Sequence, residues 1–204
     1  MNLILTFLFG ATAAFVGLIP PGMLNMTAVK ISIAKGKREA EYYALGAAVT
    51  VIIQASLALV ITSFLKDNQQ FFIYVKEIGS VIFILLSVFF IRKGFSERKE
   101  NYESKQRIKN NFVIGFVLSL FNMFAIPFYS ATSTALNING YLTFNKISVT
   151  LFVIGAAVGT FLLLYLYIFM AQRISHRIQA ITKNINFILG VLTGILGIVT
   201  FFNL

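Results

Sequence analysis

Few residues in this chain could do chemistry, and most of them would act through the backbone. Pro20-Pro21-Gly22 interrupts a run without charge from Met1 to Val29, and Pro127 interrupts a second from Asn110 to Asn145. These are the chain's 3 prolines. Proline lacks an N–H and crowds the carbonyl four residues back. Pro20 and Pro21 are therefore expected to free the carbonyls of Val16 and Gly17, and Pro127 that of Met123. Free carbonyls can take ammonium groups, cations or water. A helix restarting around Met23 to Asn25 would offer N–H groups to a carboxylate. One break thus offers both polarities that an amino-acid zwitterion needs; the plainer alternative is a kink that helps helices pack.

Three amides accompany the breaks. Asn25 follows the first, Asn122 precedes Pro127, and Gln54 sits in the middle of an apolar run. A buried amide in lipid seeks partners, so Gln54 either lines a cavity or holds two helices together. Glu77 is the deepest carboxylate available for proton coupling; the competing reading pairs it with a snorkelling Lys76. His176 lies in a basic stretch suited to lipid headgroups. There is no cysteine, hence no thiolate metal site or disulfide. No phosphate loop, metal-ligand cluster or nucleophile–base pair is found. The chain reads as no enzyme, with no catalytic residue, no metal and no cofactor.

These residues must be positioned by membrane helices. The chain is 58% hydrophobic and 12% charged, with mean hydropathy +0.84, which is too apolar for a soluble domain. Uncharged stretches of spanning length are Met1–Val29, Tyr42–Leu65, Asn110–Asn145, Ile147–Gln172 and Asn184–Leu204. Phe71–Ile91 is a sixth, carrying Lys76 and Glu77. They are continuously apolar rather than alternating, which argues against a barrel. No Lys or Arg precedes the first stretch, so it reads as a retained helix rather than a signal peptide.

The net charge of +10 is concentrated in loops, as in an oriented membrane protein, and does not point to nucleic acid. Of 17 basic residues, fourteen fall in the loops Lys30–Arg38, Arg92–Lys109 and Arg173–Lys183. Those loops are expected to be cytoplasmic, leaving both termini outside. Three spans per half force the halves into opposite orientations, so the expected fold is all-α, with six transmembrane helices in two inverted three-helix repeats. Residues 1–93 form the first repeat, 94–110 a charged cytoplasmic linker, and 111–204 the second repeat. Gly46-Ala47-Ala48-Val49 recurs as Gly155-Ala156-Ala157-Val158. Ile19-Pro20 recurs as Ile126-Pro127, and Gly79, Ile84, Leu85, Val88 and Phe90 match Gly190, Ile195, Leu196, Val199 and Phe201. Isoleucines 174, 178 and 181 beside Arg173 and Arg177 suit a short helix at the headgroups. Gly155-x-x-x-Gly159 and Gly190-x-x-x-Gly194 suit close helix packing, within the chain or in a homodimer.

Gly17-Leu18-Ile19-Pro20-Pro21-Gly22, with Asn25 and Gly36 beyond, resembles the first-helix motif of the lysine exporter (LysE/RhtB) family, whose pattern is close to P-G-P-N. Gly115-Phe116 through Asn122 to Pro127 is similar to its second element, whose core is N-P-K. Met23 replaces the family's second proline, and Met123 and Phe124 replace its proline and lysine. The resemblance covers the whole chain. It implies a multi-pass transporter in a bacterial inner membrane that exports a small solute, an amino acid or related metabolite, by alternating access at broken helices 1 and 4. The breaks and the polar residues near them make Pro20, Pro21, Gly22, Asn25, Gln54, Asn122 and Pro127 the candidate substrate-binding residues, with Glu77 the candidate for coupling. Alternatives are a cation or metal exporter of a related family, and a membrane interaction subunit without transport.

The orientation is testable because the chain is free of cysteine. An Asn139→Cys variant is expected to react with an impermeant thiol reagent in intact cells, and Lys37→Cys, Arg98→Cys and Arg177→Cys to resist it. Equal labelling of both sets would contradict the orientation.

Overall fold

Small residues mark the closest helix contacts, while many large apolar side chains face out. The computed structural model describes residues 3–20, 22–68, 73–74, 77, 81, 84–85, 87–88, 91–92, 110–122, 124–174, 191, 194–195, 198 and 202. Its helices are α1 (Leu3–Gly17), α2 (Met23–Lys35), α3 (Lys37–Asp67), α4 (Asn111–Leu120), α5 (Ala125–Ile138), α6 (Lys146–Phe169) and α7 (Ala171–Ile174). No strand occurs among the described residues. In α3, Ala40, Ala44, Ala47, Ala55 and Ala58 are buried, whereas Leu57, Val60 (63% exposed) and Phe64 face out. In α6, Gly155, Ala156, Gly159 and Thr160 are buried, and Leu162 and Phe169 (69% exposed) face out. Water would favour the reverse. Lipid is as apolar as leucine, so helices associate there by close approach of small residues.

α3 and α6 are each long and apolar enough to cross a bilayer. α4 and α5, bent by 65° across residues 121–124, make a third span if the pair is one. α1 is apolar but has only 15 residues, roughly 22 Å at 1.5 Å per residue. The stretches expected at Tyr42–Leu65 and Ile147–Gln172 thus correspond to α3 and α6. The expected loop Lys30–Arg38 is helical instead: Lys30 and Lys35 lie in α2, and Lys37 and Arg38 in α3. Gly36 alone separates them, with φ 93°, a conformation open to glycine at little cost.

The chain divides into two compact units. One holds Met1–Ser63 and Gln106–His176; the other holds Phe64–Lys105 and Arg177–Leu204. In the second unit, the described residues between 73 and 92 and between 191 and 202 are helical. A methyl group on Gly194 would press on the Ser87 hydroxyl. The linker and the headgroup helix expected after Arg173 lie largely outside the described residues. So do Lys76, His176 and most of the matched positions between Gly79 and Phe90 and between Gly190 and Phe201.

Within the first unit the helices pair across the halves of the chain. α1 packs along α6: a Cβ on Gly155 would collide with the Phe7 carbonyl, one on Gly159 with the Ala11 carbonyl, and one on Gly10 with the Phe152 carbonyl. α3 packs along α4 in the same manner, Gly46 against the Phe112 carbonyl and Gly115 against the Tyr43 carbonyl. The repeated Gly-Ala-Ala-Val motif therefore does the same work twice.

Two apolar clusters fill the interior. One joins Ala14, Ala55, Leu59, Tyr129, Leu142 and Phe152; the other joins Leu24, Ile31, Tyr43, Ile114, Leu164 and Ile168. α3 and α6 run through both. The chain passes from one cluster to the other between α1 and α2, and again between α4 and α5. Near the second cluster, buried Asn111 bridges Lys35, which donates to it at 3.2 Å, and the Glu39 carboxylate. Lys37 donates to the Tyr165 hydroxyl at 2.7 Å and lies over the Tyr165 ring.

Overpacking a filled contact costs about 1–3 kcal/mol. Gly46→Leu and Gly155→Leu are expected to lower the unfolding temperature of the detergent-solubilised protein. Gly22→Ala, where an added Cβ meets nothing within 4 Å, is expected to change stability by less than about 0.5 kcal/mol.

Candidate functional site

A helix that stops inside a membrane leaves its last carbonyls without backbone donors. α1 ends at Gly17 and the chain resumes as α2 at Met23. Leu18 N–H still reaches the Ala14 carbonyl at 3.2 Å, and Ile19 N–H the Val16 carbonyl at 3.1 Å. The Val16 carbonyl thus keeps a backbone donor, residue 21 is a proline with no N–H to offer Gly17, and the next three carbonyls, those of Leu18, Ile19 and Pro20, take side-chain donors. Asn25 Nδ2 donates to the Leu18 carbonyl at 2.6 Å and to that of Pro20 at 3.1 Å. The Tyr167 hydroxyl, from α6, donates to the Ile19 carbonyl at 2.6 Å. Asn25 is 1% exposed, yet its Oδ1 has no hydrogen-bond partner. Gly22, extended at the N-cap of α2, provides no side-chain cap. Gly22 and Pro20 are exposed; Pro21 lies outside the described residues.

The second break falls at residues 121–124, upstream of Pro127. Pro127 is the third residue of α5 and exposed. There its missing N–H is one that no helical carbonyl would have used. Pro127 therefore starts α5 rather than interrupting a helix, and its match with Pro20, which lies inside the first break, is not positional. The Ser119 carbonyl here accepts the Asn122 N–H at 2.9 Å, and the Leu120 carbonyl follows it at the end of the helix. Gln54 Nε2, from α3, donates to them at 2.9 Å and 3.5 Å. One turn earlier the Thr50 hydroxyl reaches the Phe116 carbonyl at 2.9 Å. Gln54 is 4% exposed, and its Oε1 is buried without a partner. Asn122 acts locally: its Oδ1 accepts from Phe124 N–H at 3.4 Å.

The two breaks follow one design. Along α6, Gly155, Gly159 and Tyr167 meet Phe7, Ala11 and Ile19 of the first segment in constant register. Along α3, Gly46, Thr50 and Gln54 meet Phe112, Phe116 and Leu120 in constant register. Each ridge begins with glycine and ends with a donor at the point where the partner helix breaks. The helices before the breaks differ in length: α1 has 15 residues and α4 has 10, roughly 22 Å and 15 Å.

A model of the LysE type translocator family matches residues 15–203. The chain belongs to that family. No curated protein and no solved structure matches it. The translocator is thus a multi-pass membrane protein, and its helix breaks lie inside the matched region.

The residues named from the sequence divide accordingly. Asn25 is brought to the first break, and Gln54 and Asn122 to the second. Glu77 is helical and exposed and belongs to the other compact unit. Tyr167 was not foreseen, because a tyrosine in an aromatic-rich apolar run carries no signal of its own. Its spacing from Gly155 and Gly159, on the ridge facing α1, could have found it.

Removing a donor from a buried carbonyl costs about 1–3 kcal/mol. Gln54→Leu is therefore expected to lower stability by that amount. Pro127→Ala, in a first helical turn, is expected to change it by less than about 0.5 kcal/mol. Thermal unfolding in detergent checks both, and a larger loss for Pro127→Ala would contradict the placement of the break.

Proposed function

We propose that this translocator exports an amino acid or a related small zwitterionic metabolite across a bacterial inner membrane, with both termini outside. The observation that carries the reading is the pair of orphan amide oxygens, Asn25 Oδ1 and Gln54 Oε1. Each is buried beside a helix break and lacks a donor. A buried acceptor without a donor is costly, and an ammonium group would relieve it. At the first break the uncapped N-terminus of α2 complements this, because helix N-termini favour a carboxylate. The neighbouring described residues Asn25, Tyr167, Leu18 and Ile19 are uncharged, so a solute that carries its own balanced charges suits the site.

Alternating access would proceed by opening one apolar cluster while the other stays closed. The breaks lie where the chain crosses between clusters, so α2 and α5 can swing while α3 and α6 remain continuous. The reciprocal pairing of α1 with α6 and α4 with α3 supports two inverted repeats, residues 1–93 and 111–204. Glu77 remains the candidate for proton coupling, and the exposed apolar faces leave room for a homodimer.

The test is counterflow in proteoliposomes with a panel of labelled amino acids and divalent metal ions. One group of amino acids is expected to exchange, and Asn25→Ala is expected to lower that exchange at least tenfold while the protein still inserts. Transport of metal ions alone, or amino-acid exchange untouched by Asn25→Ala, would refute the assignment.

A further inference from the structure

The carbonyls of the first break already have donors, and one donor comes from another helix. Asn25 Nδ2 supplies Leu18 and Pro20, and the Tyr167 hydroxyl supplies Ile19. A solute ammonium needs the same acceptors that these groups occupy. We propose that Tyr167 is a positioning residue for transport: its hydroxyl stands in for the solute's ammonium on the Ile19 carbonyl, holds the empty break closed, and gives way when solute loads. This rests on the reading of the break as the solute site.

The geometry supports such an exchange. Tyr167 ends a ridge whose earlier members, Gly155 and Gly159, are in backbone contact with α1. That ridge fixes α6 to α1, so the Tyr167 bond ties the break to the rigid pair rather than to α2. α2 is held beside it by its own contacts, including the Tyr43 hydroxyl donating to the Leu24 carbonyl at 3.0 Å. A phenol offers one neutral O–H. An ammonium offers three charged N–H donors, and a charge-assisted hydrogen bond is roughly twice as strong as a neutral one. An ammonium can therefore replace the phenol at Ile19 and engage Asn25 Oδ1, which the phenol leaves bare. Loading would break the tie between α6 and the break, leaving α2 held to α6 by the Ser32 hydroxyl, which donates to the Ile168 carbonyl at 3.2 Å, and by their shared apolar cluster.

The test uses a buried thiol in the cysteine-free 204-residue chain. Ala28, fully buried on α2, is replaced by Ala28→Cys. Its reaction rate with a water-soluble maleimide is followed in solute-free nanodiscs. A buried thiol reacts only when its surroundings open, so the rate reports the opening equilibrium. Adding Tyr167→Phe is expected to raise the rate roughly 2- to 12-fold, the change that loss of one neutral hydrogen bond corresponds to. Tyr165→Phe, two residues away on α6, is expected to leave it unchanged. An unchanged or lower rate with Tyr167→Phe, or an equal rise with Tyr165→Phe, would overturn the proposal. Should Tyr167→Phe not accumulate in the membrane, Asn25→Ser removes the companion donor and must raise the rate likewise. Because the readout needs no solute, its failure sinks the role of Tyr167, whereas failure of exchange in liposomes sinks the reading of the site.

Discussion

A backbone carbonyl in a bilayer must find a donor within the protein. The fold follows from that constraint at two places, the ends of α1 and α4. At the first end Asn25 of α2 supplies two donors from the same half of the chain, and at both ends a further donor comes from the other half. Tyr167 of α6 reaches back to the first segment, and Gln54 of α3 reaches forward to the second. Both reaches need the supporting helix to lie very close, which is why glycine stands at Gly155, Gly159 and Gly46. There the packing brings a neighbouring carbonyl to the place a Cβ would fill. The glycines, the capping donors and the breaks are thus one arrangement used twice.

That arrangement separates helices in backbone contact from helices held by side chains alone. Helices in backbone contact have little freedom to slide, because interiors at this density do not deform continuously. α1 with α6 and α3 with α4 are such pairs. α2 and α5 hang beyond the breaks and bury their faces in different apolar clusters. Motion is cheapest where polar contacts can be exchanged for other polar contacts, and the breaks supply these. Asn25 Oδ1 and Gln54 Oε1 are buried beside the breaks without a hydrogen-bond partner, which is the observation behind the proposed solute site.

Much of this was legible in the sequence. Long uncharged runs marked α3 and α6, since nothing else makes a stretch of that length apolar. The recurrence of Gly-Ala-Ala-Val pointed to the two positions that later proved to be equivalent contacts. Pro20-Pro21-Gly22 located the first break to within a turn, because proline forbids the helix from continuing. Pro127 misled for the opposite reason: a proline suits a first helical turn as well as it breaks an interior one, and sequence alone does not separate the cases. The basic stretch from Lys30 to Arg38 read as a loop because charge ends a membrane span, but it need not end a helix. Tyr167 was hidden by its apolar company, since its role comes from a carbonyl 148 residues away.

The account stands on the two breaks being the places where solute meets the protein. Hydrogen exchange of the protein in nanodiscs, with and without an amino acid shown to exchange in liposomes, measures this directly. Solute is expected to change exchange in peptides covering residues 14–26 and 117–126 together, and to leave the glycine ridges of α1 with α6 and α3 with α4 unchanged. Protection that appears elsewhere while both breaks stay as they were would contradict the account.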